Sequence, residues 1–533
     1  MLSGLDPELI RGLPVHICLG HGVGHWARQV IPMPTAEQRK LTKRVTRYDK
    51  FFSHDWGTSQ WLKFLSLLIH FNCRAAAAAT FIGSLIFGLL ASMGILPVRP
   101  WTASLGYGVF FLFLVYWQHI RRFFRSPIIV FFDKLCISQD QEELKLKSIY
   151  GLASFLDRSD ELVILWSETY FSRLWCTYEI ATFLRDEHGT KKVTVLPVQV
   201  AVFFSINFLV WFILQTVTML ISYGQSRQVT MENFLSLAGT HLSLSLTLKP
   251  LFLLLWMFMM KDVAELPKQI QSFEIQNAKC YCCTVQHKHP SGGEIPCDRQ
   301  LIYGVLEKWY GKSRPSSHDG NERHLHAFNE AARKTLTEHV LPRMRRNTLF
   351  AYILGLSGMA CSLPWLSILL PQWLKGPGLD CECYMTWVLR DITNWLSLPA
   401  ALLLQVHVAF YLGKMGVSME DWLRIFALTK VQTFISILIW LPVPLSLALT
   451  DCCNWLPIAL IFILILVNVY VYFIAGHSFC TWRVQKDSAS PAKPLPHVPQ
   501  LQTEQVDVES DPISLDASVL DVGSTDKCST FSI

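Results

Sequence analysis

Apolar positions follow two different regimes along this chain. In the first, long runs carry almost no charge: residues 75–98, 101–120, 200–222, 234–260, 349–371, 392–413, 431–450 and 455–476. A bilayer crossing takes about 20 apolar residues, so the pattern predicts an α-helical multi-pass membrane protein with about eight transmembrane helices. In the second regime, short apolar strands alternate with stretches of helical spacing. Residues 48–53 read as an aromatic strand and 61–71 as a helix. After the first apolar hairpin the alternation resumes, with a strand over 127–132 and an amphipathic helix over 142–156 that puts Leu144, Ile149, Leu152 and Phe155 on one face. A strand over 161–166, a helix over 174–185 and a strand over 193–198 follow. Strands alternating with helices argue for a parallel sheet covered on both faces. Two further amphipathic helices are predicted at 298–310 and 322–344, the second with Leu325, Phe328, Leu336 and Val340 at helical spacing.

This reading divides the 533 residues into an N-terminal segment (1–44), a first α/β part (45–73) and an apolar hairpin (74–120). A second α/β part (121–199), spans three and four (200–260), a Cys/His-containing helical module (261–348), spans five to eight (349–476) and a polar tail (477–533) complete it. Composition supports the apolar runs: hydrophobic residues make up 51% and charged residues 17%, against about 25% charged in soluble domains. The tail, rich in Ser, Pro and acids, reads as disordered. Its last 33 residues hold seven acids and one Lys, so the +6 net charge hides a basic remainder.

Fourteen Lys and Arg residues flank the predicted spans on the side of the termini and four on the other, which places both termini in the cytosol. Asp6, Glu8 and Arg11 stand where the apolar core of a cleavable signal sequence would be. Cys381, Cys383, Cys452 and Cys453 fall in two outer loops, where they would either pair or stay as free thiols.

Three boxes in the α/β parts are Phe51-Phe52-Ser53-His54-Asp55, Phe131-Phe132-Asp133 and Ser167-x-x-Tyr170-x-Ser172-x-x-Trp175-Cys176-x-x-Glu179-Ile180. With these the chain resembles the Toll/interleukin-1 receptor (TIR) domain family. The resemblance implies a cytosolic flavodoxin-like α/β domain, whose ligands sit beyond the carboxyl ends of the strands, and would gather His54, Asp55, Asp133 and Ser167 there to bind a cofactor. It implies a membrane signalling or scaffold protein that presents the domain for homotypic or heterotypic assembly, with the lipid bilayer and other TIR-like domains as partners, in a homo-oligomer among other arrangements. In members that only assemble, Trp175 would pack in the core and Glu179 would sit on a helix surface. In members that cleave NAD, Glu179 would be catalytic, stabilising an oxocarbenium ion with NAD as substrate. A third expectation is a transporter or channel regulated by the α/β domain, with Lys249 and His407 as ionisable residues inside predicted spans. No nucleic-acid partner is expected.

One cluster stands apart from these boxes. Cys280, Cys282, Cys283, His287, His289 and Cys297 put six zinc-type ligands into 18 residues, a concentration that suggests a structural zinc site. Pro290-Ser291-Gly292-Gly293 could supply the turn between its halves.

Overall fold

A central strand, β3 (Tyr48–His54), carries the aromatic run Phe51-Phe52 and is buried at every position except Asp49 and Lys50. Burial on both faces is what a strand covered by helices on each side requires. The computed structural model describes residues 6–20, 22–26, 33–184, 191–224, 266–288, 293–311, 322–340 and 349–375, with isolated positions beyond. The chain divides into two units, Met1–Trp482 and Arg483–Ile533, and the described residues all belong to the first.

Around β3 the sheet runs β2-β1-β4-β3-β5-β6. The other strands are β1 (Arg11–Pro14), β2 (Lys43–Arg44), β4 (Ile129–Phe131), β5 (Ser159–Trp166) and β6 (Lys192–Pro197). β4, β3, β5 and β6 are parallel, in the register Phe51 to Phe131, Phe52 to Val163 and Val163 to Thr194. β1 joins β4 antiparallel through Leu13 and Val130. Residues 1–44, read from the sequence as a separate segment, therefore supply an edge of the sheet. Phe131 stacks on Phe51 at 4.5 Å and on Phe155 at 4.7 Å, so the aromatic residues of the strands interlock with the covering helix Leu152–Asp157. On the sheet itself Glu161 bridges three strands, meeting Lys50 of β3 and both Thr194 (2.5 Å) and Lys192 (3.3 Å) of β6. Opposite charges across strands reinforce the register.

The predicted helix over 61–71 and the first predicted span are one continuous helix, Gln60–Ser92, whose first turns pack on the sheet: Ser66 Oγ donates to the Val198 carbonyl at 3.0 Å. It returns as the helix Thr102–Arg121, and the two are tied by Asn72, whose Nδ2 donates to the Leu114 carbonyl at 2.7 Å. Gly106 is where this hairpin meets the segment 363–365; a Cβ there would come within 2.9 Å of Pro364 Cα. The predicted helix over 142–156 breaks at Gly151 into Glu142–Tyr150 and Leu152–Asp157.

The expectation of eight transmembrane helices is corrected. Among the described residues two helices, Gln60–Ser92 and Thr102–Arg121, are long and apolar enough to cross a membrane, by length and composition alone. The core helix of a soluble protein passes the same test, so two such helices establish neither a multi-pass architecture, nor a bilayer partner, nor an integral-membrane location with cytosolic termini. The run 349–371, read as one span, is three short pieces: Leu349–Ser362, a 3-10 turn at Leu363–Trp365 and Leu366–Lys375. Pro364 enters the 3-10 turn and Pro371 lies in the last piece, and proline removes a helical donor at each. The run 200–222 is the helix Gln199–Gly224, whose buried Asn207 meets Ser357 of the Leu349–Ser362 helix. The predicted spans 234–260, 392–413, 431–450 and 455–476 lie almost wholly outside the described residues, as do Lys249, His407, Cys381, Cys383, Cys452, Cys453 and the tail.

Candidate functional site

The carboxyl ends of the parallel strands collect most of the residues expected there. β3 ends in His54 and Asp55, β4 leads into Asp133, and β5 into Ser167, because each strand passes directly into a loop or short helix at the same edge of the sheet. His54 Nε2 lies 3.2 Å from Asp133 Oδ1, and Trp56 Nε1 donates to Asp133 Oδ2 at 2.7 Å. Burial drives the Asp133 carboxyl upward, but His54, the Trp56 indole and the Lys134 amide outweigh it and hold the carboxyl below its ordinary value. Asp55 is fixed from three sides: the Gly57 amide (2.9 Å), Thr169 Oγ1 (2.6 Å) and the Arg173 guanidinium (3.2 Å). Ser167 Oγ accepts from Thr58 Oγ1 at 2.8 Å. Beneath them Lys63 is buried with its Nζ donating to the Asp55 carbonyl at 3.0 Å, and desolvation lowers its pKa to about 8.

Glu179 does not join that group directly. It points from the helix Leu174–Leu184 to β3, where Ser53 Oγ donates to its carboxylate and itself takes the Tyr170 hydroxyl at 2.5 Å. Desolvation pushes the Glu179 carboxyl up to about 8, against the Ser53 hydrogen bond and with the charge of Asp133 adding to the rise. Trp175, four residues earlier, is also half-buried and packs against the core, and its Nε1 donates to Asp298 Oδ2 at 3.0 Å. The resemblance placed Trp175 in the core and Glu179 on a helix surface in members that assemble; in the structure both are half-buried, Trp175 packed against the core and Glu179 hydrogen-bonded by Ser53. Ser53 and Tyr170 were inside the sequence boxes but were not singled out; their hydroxyls are the partners that Glu179 needs once it turns inward.

The second grouping is the Cys/His segment, docked on the start of the same helix. Leu174 N donates to the Lys279 carbonyl (3.2 Å) and Lys279 N to the Ser172 carbonyl (2.6 Å), so residue 279 pairs with the start of the helix as a short bridge. One turn, Tyr281–Thr284, presents Cys282 and Cys283, and Cys297 precedes the helix Asp298–Tyr310. Two three-donor groups result: Cys280, Cys282 and Cys283, and Cys282, His287 and Cys297, each with its ligand atoms within 4.8 Å of one another. These Cys and His side chains can coordinate a metal ion. Cys283 Sγ lies 3.9 Å from Cys297 Sγ, close to the roughly 3.8 Å that two thiolates span across a tetrahedral zinc with Zn–S bonds of about 2.3 Å. Of the six ligands expected, His289 lies outside the described residues.

The surroundings suit thiolate ligands once a cation is present. The Asp298 amide donates to Cys282 Sγ at 3.3 Å, and the Arg299 guanidinium bonds Cys283 while donating to the Gln276 and Ala278 carbonyls at 2.8 and 2.6 Å. Burial pushes Cys282 up to about 11 and raises Cys280 and Cys283 as well, so without a cation the thiols hold their protons; a bound metal reverses this. Gln286 and His287 have φ of 53° and 59°. Left-handed backbone at a residue other than glycine costs energy and persists where the surroundings enforce it, often at ligand clamps. Here it turns His287 back over the turn, with its amide on the Cys282 carbonyl at 2.7 Å. Asp298 was read from the sequence only as a helix start; its double contact, to Trp175 and to Cys282, had no signal in spacing.

No known protein family matches the chain, and neither a curated protein nor a solved structure does. The functions drawn from the resemblance are corrected accordingly: TIR-mediated signalling or scaffolding, NAD cleavage by Glu179, and transport under a TIR-like regulator find no family signature, and the many-span membrane architecture they assumed is not present among the described residues. TIR-like domains as partners, in homo-oligomers or otherwise, fall with them.

Proposed function

We propose that the Cys/His segment is a structural zinc centre, and that its role is to fasten the helical module around residues 266–340 to the sheet. The observation that carries this reading is the pair of three-donor groups, Cys280 with Cys282 and Cys283 and Cys282 with His287 and Cys297, that share Cys282. It is the soft, mixed sulfur and nitrogen donor set that zinc prefers, and it is delivered by a strained turn at His287. When bound, zinc would take the thiols as thiolates and close the loop between Cys282 and Cys297, which stabilises a small module beyond what its apolar core can supply.

The core of that module is modest. Ile302 and Leu306 of one helix and Leu325 and Phe328 of the next are buried, with Phe273 against Phe328 at 6.1 Å. Its junction with the sheet includes Lys279 and Asp298, which adjoin the donors Cys280 and Cys297 in the chain and bond Leu174 and Trp175 of the helix on the sheet. A metal there would hold both the loop and the junction. The test is limited proteolysis of the full reduced chain before and after treatment with a strong chelator. Chelation should expose cleavage sites between residues 279 and 311 and leave the sheet resistant; unchanged protection on both counts rejects the reading. The likeness of the sheet to TIR domains stands as a separate proposal, supported by the three sequence boxes alone, and no activity is drawn from it.

A further inference from the structure

We infer that Cys280 and Cys282 form a redox site: a peroxide-class oxidant joins them in a reversible disulfide, which withdraws Cys282 from the zinc donors. The inference rests on the zinc reading above and concerns what removes the ion. The two sulfurs are 2.7 Å apart. Thiolates that share a tetrahedral zinc with Zn–S bonds of about 2.3 Å sit roughly 3.8 Å apart, so Cys280 and Cys282 do not both hold one ion. A disulfide bond is about 2.05 Å long, and a further approach of roughly 0.7 Å completes it. Cys283 and Cys297, another close sulfur pair, stand off at 3.9 Å. Cys280 lies in extended backbone immediately before the turn Tyr281–Thr284, with Cys282 two residues on inside that turn. Cys282 is the donor common to both three-donor groups, so its loss dismantles both.

The surroundings give the two sulfurs different roles. Cys280 directs its thiol at Asp298 Oδ2, 3.9 Å away, and so has an acceptor for its proton. Cys282 Sγ instead accepts from the Asp298 amide at 3.3 Å, a bond that favours the anionic sulfur. A thiol that coordinates a metal is held deprotonated, and the thiolate is the nucleophile toward peroxide. Cys282 Sγ attacks one peroxide oxygen, the O–O bond breaks, a sulfenic acid forms on Cys282 and hydroxide leaves. Cys280 Sγ then attacks that sulfur; its proton departs with the sulfenic hydroxyl as water, and the S–S bond closes. Two electrons pass from the pair of sulfurs to the peroxide, and two equivalents of a thiol reductant return them by exchange. Cys280 and Cys282 are 4% and 1% exposed, under a turn whose Tyr281, Thr284 and Gln286 face solvent. That cover favours a small oxidant over a bulky one.

The experiment loads the full, reduced chain with zinc, removes loosely held ions and adds hydrogen peroxide beside a chromogenic zinc chelator. Free thiols are then blocked and the peptides mapped by mass spectrometry. Zinc release should rise in step with a disulfide between Cys280 and Cys282, and reduction with a thiol should restore zinc uptake. Cys280→Ser should hold zinc as the natural protein does; after peroxide it should carry sulfinic acid at Cys282, which thiols do not reduce, and recover little uptake. Zinc retained through peroxide treatment, a disulfide at other cysteines, or no zinc on the reduced Cys280→Ser chain overturns the redox inference and leaves the zinc reading standing. No zinc on the reduced natural protein overturns both.

Discussion

The indole Nε1 of Trp175 donates to Asp298 Oδ2 at 3.0 Å, and the amide of that same Asp298 donates to Cys282 Sγ at 3.3 Å. One residue thus connects a helix of the sheet to the proposed zinc centre. Trp175→Phe keeps the ring and removes the donor. A hydrogen bond to a charged group contributes about 1.5–3 kcal/mol, and partial exposure places this one at the lower end. The variant should therefore unfold at a lower urea concentration and bind zinc more weakly. Zinc affinity equal to that of the natural protein would mean that the junction and the centre are independent.

Glu179 makes stability depend on pH with a definite sign. Its carboxyl titrates near 4.5 in an unfolded chain and near 8 in the folded one. Between those values the unfolded state has lost a proton that the folded state retains, so stability falls as pH rises, by up to roughly 1.4 kcal/mol per pH unit. The contribution is complete below the lower value and gone above the upper one. Glu179→Gln, which keeps the volume and the Ser53 contact, should flatten the decline in urea midpoint across that window. An unchanged slope would show that Glu179 is ionised in the fold.

Phe155 is fully buried between Phe131 and the edge of Tyr48. Truncation to Ala leaves a cavity where three strands and a helix meet and should cost about 3–5 kcal/mol by urea denaturation. A loss below about 1 kcal/mol would place this residue outside the cooperative core.

Asn72 ties the long hairpin together, donating to the Leu114 carbonyl at 2.7 Å and accepting from Gln118 Nε2 at 2.9 Å. Asn72→Leu removes both of these bonds and leaves the Gln118 amide only the Phe71 carbonyl at 3.3 Å, at a cost of about 1–3 kcal/mol. The double variant with Gln118→Leu should recover part of that loss, because the half-satisfied amide goes with it. Additive losses in thermal unfolding would contradict the pairing.

What could be read in the sequence was local. The aromatic run Phe51-Phe52 and the apolar stretch Leu162 to Trp166 mark strands because both faces of each are buried, and Asp298–Tyr310 is a helix over the expected residues. The strand Arg11–Pro14, between the edge strand Lys43–Arg44 and β4, was not legible: four residues ending in proline carry no periodicity, and its place comes from pairing with Val130, far along the chain. The excess of predicted spans has a similar cause. An apolar run records what a helix buries but not against what, and Pro364, visible in the sequence, already marked the break in 349–371. The Cys and His donors were identifiable by residue type. Their sharing of Cys282 was not, because it depends on the left-handed turn at Gln286 and His287.

The most direct test of the zinc centre is elemental analysis of the full chain, purified under reducing conditions in the presence of zinc and then dialysed. The account predicts retained zinc that falls when Cys282→Ser and Cys297→Ser are introduced together, since both thiols belong to the group that includes His287. Zinc content near zero in the natural protein, or equal content in the double variant, would contradict it.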